Sequence, residues 1–201
     1  MAIAVTLLIM AAFRVWTLTG PRRAQPIVGP LAAALLVTLS GLTRAEVGLV
    51  LSSFLYGVSG AAVVGIGYLV ALRIPPVREA MAARTYPRPV RTALVEVPLA
   101  TVIFEEVAFR GVLWALIARD HGPVWATVIT AVLFGLWHLP SLPEVAFTTF
   151  AGAALGVLRQ FSGGLPAPFL VHWTANGLGI LLSAALRSSR REVPDPPGGA
   201  R

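Results

Sequence analysis

The chain has 201 residues, 56% of them hydrophobic and only 12% Asp, Glu, Lys or Arg, about half the charged share of an average soluble domain. The apolar residues fall in long runs with no helical or strand periodicity, which points to an integral membrane protein, because a bilayer core demands spans of about 17–25 apolar residues. The net charge of +7 comes from arginines gathered between those runs, where they orient membrane proteins and give no reason to invoke nucleic acid, and the absence of cysteine excludes disulfides, Cys-ligated metal and thiol nucleophiles.

In chain order the apolar segments are roughly 2–20, 27–43, 45–72, 92–118, 123–139, 144–159 and 165–187. They predict an all-α fold: a polytopic transmembrane helical bundle of about seven segments, forming one domain over 1–187. The first segment has no positive residue ahead of its apolar run, so it reads as part of the mature protein and not as a cleavable leader. Ser53, Gly57, Ala61 and Gly65 in the third segment form a small-residue face for close helix packing, and Gly152 and Gly156 form a shorter one in the sixth. Trp16, Trp114 and Trp125 fall near segment ends, as an aromatic belt has them. The remainder, 188–201, is polar and rich in Pro and Gly, and reads as a disordered tail.

Orientation follows from the arginines in alternate connections. With the N-terminus outside, one side collects Arg22, Arg23, Arg73, Arg78, Arg84, Arg88, Arg91, Arg187, Arg190, Arg191 and Arg201, and the other only Arg44, Arg119 and Arg159. Arg14 lies near the inner end of segment one, where its stem can snorkel to the interface. The chain therefore reads as a multi-pass protein of the cell's inner (plasma) membrane, N-terminus outside and C-terminus cytoplasmic.

The fourth segment is interrupted by FEEVAFRG, residues 104–111. A charge at the centre of a membrane helix costs about 2.5–3.5 kcal/mol on insertion scales, so such residues ask for a function. Glu106 and Arg110 are four apart, on one helical face, and read as an ion pair. Glu105 points about 100° away from Glu106 and needs a partner from another helix. Candidates arrive on segments five and seven: His138 closes FGLWHLP, and His172 and Asn176 share a face in HWTAN. Glu96 is a further membrane-region carboxylate, close to a segment end.

A carboxylate, two imidazoles and an amide converging in a dry cavity suit hydrolysis. Glu105 can take a proton from water and deliver it to a leaving amine, with His138 holding that water. His172 and Asn176 can donate hydrogen bonds to the developing oxyanion. Alternatively, Glu105, His138 and His172 can ligate a catalytic zinc, leaving its fourth position to water. No HExxH is present, so a zincin helix is excluded. Depth, at 1.5 Å per residue, puts Glu105 about 20 Å and His172 about 20–23 Å from the inner surface, in agreement, but leaves His138 too close to that surface. The short fifth and sixth segments suggest that their LPSLP turn sits below the surface and lines a cavity.

Taken in order, the EExxxR motif (Glu105, Glu106, Arg110), the FxxxH motif (Phe134, His138) and the HxxxN motif (His172, Asn176) resemble the CPBP family of intramembrane proteases, named for CAAX proteases and bacteriocin-processing enzymes. The motif region spans about 101–177. The resemblance implies a helical membrane endopeptidase with a site open to the cytoplasm. Glu105 would activate water with His138, His172 and Asn176 would stabilise the oxyanion, and Glu106 and Arg110 would support the site. It implies a peptide or membrane-protein substrate, and the short chain with tight loops looks like the bacterial members, associated with peptide processing and self-immunity. A zinc-dependent and a metal-free glutamate mechanism are both compatible with these residues. Two other classes compete: a non-catalytic immunity or scaffold protein that keeps the motif for packing, and a proton-coupled transporter with a Glu–His relay. Clustering of the motif residues on three segments and the lack of an inverted repeat weigh against transport.

Overall fold

The computed structural model describes residues 1–191. All seven apolar segments are helical, and the described residues include no strand. Helix α1 spans Ala2–Thr19, α2 Gln25–Ser40, the single turn α3 Arg44–Val47 and α4 Phe54–Ala71. A short helix, α5 (Pro75–Ala83), lies inside the Arg-rich connection. A long helix, α6, covers 89–121, and α7 covers 123–136. Helices α8 (Leu142–Ser162) and α9 (Pro166–Arg191) complete the chain. The expected tail starts within α9, which continues through Arg191, and the rest of it lies outside the described residues.

Among the described residues, four helical stretches are long and apolar enough to cross a membrane: Ala2–Thr19, Arg22–Ser40, Arg44–Ala71 and Pro166–Ser189. Together with a surface crowded by exposed Leu, Val, Ile and Phe, they describe a membrane protein. The polar positions inside this apolar shell are therefore the informative ones.

Helix α6 is the centre of the bundle. From Phe104 to Leu113 every residue is buried, the all-round burial expected of a core helix. Phe13 from α1 stacks on Phe104 with ring centroids 3.7 Å apart, and Leu36 and Val47 belong to the same apolar cluster. Between α6 and α7 the chain bends at Gly122, whose φ of 80° lies where side-chain-bearing residues are disfavoured. Pro123 then starts α7 at the position that tolerates a missing N–H.

The small-residue faces do what close packing requires, inside one chain. A Cβ on Gly152 would come within 3.2 Å of both Ala131 Cα and Phe134 Cδ1, and one on Gly156 within 2.8 Å of Thr127 Cγ2. Thus α8 lies directly on α7. On α4, a Cβ at Gly57 would stand 2.8 Å from Leu170 on α9, whereas one at Gly65 would meet open space among the described residues. Trp114, expected in an aromatic belt, is turned inward instead and donates to Thr127 Oγ1 at 3.0 Å across the Gly122 bend.

Candidate active site

The EExxxR stretch lies on the part of α6 where the backbone widens into π-type turns, over 92–96, 98–102 and 106–113. Pro98 accounts for the first. It cannot donate to the carbonyl of Leu94, and its ring crowds that turn open. Wide turns of this kind concentrate at functional sites.

Glu105 and Glu106 are 5% and 1% exposed, and Arg110 is fully buried. Arg110 Nη1 donates to Glu106 Oε1 at 2.9 Å, which is the ion pair read from the spacing. The guanidinium also donates to the Gly152 carbonyl at 3.3 Å and lies 4.1 Å from the ring centroid of Phe134. A Cβ at Gly152 would stand 3.3 Å from Arg110 Nη2, so that glycine also makes room for the charge. Glu106 Oε1 receives a second hydrogen bond, from His172 Nδ1 at 2.7 Å. His172 is thereby clamped, and its other nitrogen, Nε2, faces Glu105 Oε2 at 3.8 Å. That separation is too long for a direct hydrogen bond and suits one shared water. Glu106 Oε2 and Arg110 Nε are buried without a partner among the described residues.

Glu105 has the partner from another helix that its isolation demanded, and a second that the sequence reading missed. Trp137, just beyond α7, donates its indole N–H to Glu105 Oε1 at 3.2 Å and stacks on Phe104 at 6.2 Å. A half-buried indole still favours an acceptor, so the Trp preceding His138 was the available signal. Its position brings the turn after α7 to Glu105 through the indole and not through His138. Helix α7 is only about 21 Å long, short of a bilayer core, and the turn after it packs at the level of Glu105.

His138 follows in that turn, half-buried, with Nδ1 donating to the Phe134 carbonyl at 2.8 Å. Its ring and that of His172 meet the same phenylalanine edge-on, with centroids 4.9 Å and 5.8 Å from Phe134. His138 makes no direct ion pair or hydrogen bond with Glu105 among the described residues. Asn176 lies one turn beyond His172 on α9, half-buried, and its side chain is hydrogen-bonded to no described residue. The structure thus joins Glu106, Arg110 and His172 by direct hydrogen bonds, brings Glu105 to 3.8 Å from His172, places His138 on the shared Phe134, and leaves Asn176 one turn away. Glu96 lies apart, 31% exposed and 3.2 Å from Arg91.

A cavity of about 210 Å³ reaches Glu105 and Trp137 from the side of α1 and α2. A second, apolar one of about 360 Å³ reaches Glu106 between α4, α6 and α9, lined by Phe54, Ile103, Leu165 and Phe169. No three His, Asp or Glu among the described residues are grouped to hold an ion. Glu105 and His172 approach each other, but His138 stands off.

One more buried cation supports this framework. Arg159, counted from sequence with the sparse-arginine connections, is buried on α8, where it donates to the carbonyls of Arg110 at 3.1 Å and Glu46 at 3.0 Å. Its guanidinium lies over Trp114 at 4.9 Å. It ties the α3 turn to the middle of α6.

Residues 88–178 match the family model described as "Type II CAAX prenyl endopeptidase Rce1-like", consistent with the CPBP family. No curated protein and no solved structure matches the chain. The matched stretch contains all three motifs, and the match supports, in general terms, an intramembrane peptidase of the CAAX type.

Proposed function

We propose that the protein is an intramembrane endopeptidase in which Glu105 activates the attacking water. The observation that supports this most is the gap between Glu105 Oε2 and His172 Nε2, 3.8 Å across, beside a carboxylate that a cavity reaches. A water there loses its proton to Glu105 as its oxygen attacks the peptide carbonyl carbon. The carbonyl electrons move onto oxygen, and the tetrahedral intermediate collapses as Glu105 returns the proton to the leaving nitrogen. His138 steadies the water, while the Asn176 amide donates to the developing oxyanion; His172, whose Nδ1–H is committed to Glu106, adds a second donor through Nε2 when its ring carries both protons. Glu106 and Arg110 fix His172: with Nδ1 committed to Glu106, the ring addresses the reaction through Nε2 alone. The cavity opens to the cytoplasm in the N-out orientation that the arginine count favours, and the membrane is the cell's inner membrane.

The test is cleavage of a peptide library by purified, detergent-solubilised protein, read by mass spectrometry. We expect internal cuts that give two peptides, unaffected by a chelator. Activity lost on chelation and restored by zinc would mean that His138 closes on Glu105 and His172 to form a metal site. No cleavage, with uptake driven by a pH gradient in liposomes, would replace the peptidase by a transporter. No cleavage together with biological activity retained by Glu105→Gln would favour an immunity or scaffold protein.

A further inference from the structure

One carbonyl on α6 has lost both of the donors that a helix regularly supplies. In the widened turn over Thr92–Glu96, the Val97 N–H passes over Ala93 and donates to the Thr92 carbonyl. The residue that would serve Ala93 in that wider register is Pro98, which has no N–H to give. Ala93 is fully buried, where a polar group without a partner is costly. The donor comes from α9: the half-buried Trp173 gives its indole N–H to the Ala93 oxygen at 2.8 Å. Gly177, one turn further on, keeps the two helices close, since a Cβ on it would stand 3.6 Å from the same oxygen.

Trp173 lies between the two site residues of α9. His172 precedes it, with its ring already fixed on Glu106 at 2.7 Å. Asn176 follows three residues later, and its side chain has no hydrogen-bond partner among the described residues. The direction of that amide is therefore set by how α9 is rotated about its own axis. A rotation of about 20° would carry a group at the helix rim, about 5–6 Å from the axis, by about 2 Å. Misplacement by about 1 Å already costs up to a hundredfold in rate. Tyr68 on α4 holds the same stretch by donating to the Ala175 carbonyl at 2.6 Å, so two neighbouring helices grip α9 beside Asn176. We infer that Trp173 is a positioning residue: by serving the carbonyl that Pro98 orphans, it fixes the rotation of α9 and so aims the Asn176 amide at the site. The inference rests on the reading of Asn176 as an oxyanion donor, and one arm of its test needs no cleavage.

The experiment measures kcat and KM for peptide cleavage by the full-length protein in detergent, as the parent, Trp173→Phe, Asn176→Ala and the double variant. Hydrogen exchange over residues 166–180 is followed by mass spectrometry on the same samples. We expect Trp173→Phe to lower kcat by about tenfold to a hundredfold with KM within about twofold of the parent. In the Asn176→Ala background the same change should cost less than about twofold, because the group it aims is gone. Gly177→Leu keeps the indole but wedges α9 away from Ala93, and should reproduce the loss of kcat. Exchange over 166–180 should quicken by about tenfold in Trp173→Phe. Parental kcat in a folded Trp173→Phe protein, or a loss undiminished by Asn176→Ala, overturns the inference and leaves Trp173 as a packing residue. A parent that cuts nothing strikes at the peptidase reading instead, and exchange then decides the anchor alone: faster exchange supports it, and parental exchange overturns it.

Discussion

At the scale of single residues, the site is a division of labour between adjacent carboxylates. Glu106 is spent on structure: its one bonded oxygen receives both Arg110 and His172, so two ionised groups inside the bundle offset each other's burial. Glu105 is held more loosely, by one indole N–H and a gap of 3.8 Å to His172. The i,i+4 spacing made the first role legible, because it needs only helix geometry. The second was legible as a lack: a carboxylate with no neighbour on its own helix. What supplied the lack was not, since nothing in the spacing of FGLWHLP says whether Trp137 or His138 turns toward Glu105. The prediction at this scale concerns that indole. Trp137→Phe keeps the ring on Phe104 and removes the donor, a hydrogen bond to a charged group worth about 1.5–3 kcal/mol. We expect kcat to fall roughly tenfold or more with KM nearly unchanged, while the thermal unfolding midpoint in detergent shifts little. Unchanged kcat would mean that the indole does not orient Glu105.

At the scale of elements, close approach between helices positions the charges. Helix α8 comes near enough to α7 for the Gly152 carbonyl to accept from Arg110 and for Gly156 to sit against Thr127. The sequence announced these faces by their repeat of small residues, and the structure assigns them to contacts within the chain. The same repeat on α4 is used unevenly: Gly57 is enclosed by α9 and Gly65 is not. That difference is invisible in a pattern of equal spacing, because it depends on where neighbouring helices diverge. Two substitutions separate the cases. Gly156→Leu overpacks the α7–α8 contact and should destabilise the protein by about 1–3 kcal/mol, read as a lower unfolding midpoint. Gly65→Leu should stay within about 0.5 kcal/mol of the parent. Equal effects would mean that α4 and α9 close over Gly65.

At the scale of the whole molecule, the alternation of arginine-rich and arginine-poor connections matches which loops meet. Glu46 pairs with Arg119 at 2.8 Å, and Leu165 N–H donates to the Gly48 carbonyl at 2.7 Å, joining three connections assigned to one side. At the other end Arg187 reaches the Ala83 carbonyl at 3.5 Å. Local sequence fixes that grouping well, since each crossing reverses direction; it fixes depth poorly, because α7 ends short and carries its turn inward. The chain lacks cysteine, so the orientation can be read from single introduced thiols. A membrane-impermeant maleimide applied to intact spheroplasts should label His121→Cys and should reach Arg78→Cys only after lysis; the reverse pattern would invert the topology. The assembled bundle buries Glu105, and the proposed function stands on that group. The deciding measurement is the rate of peptide cleavage by purified Glu105→Gln beside the parent, with unfolding midpoints taken on the same samples. The account predicts at least about a hundredfold loss of rate with the fold retained; cleavage at the parental rate by a folded Glu105→Gln protein would contradict it.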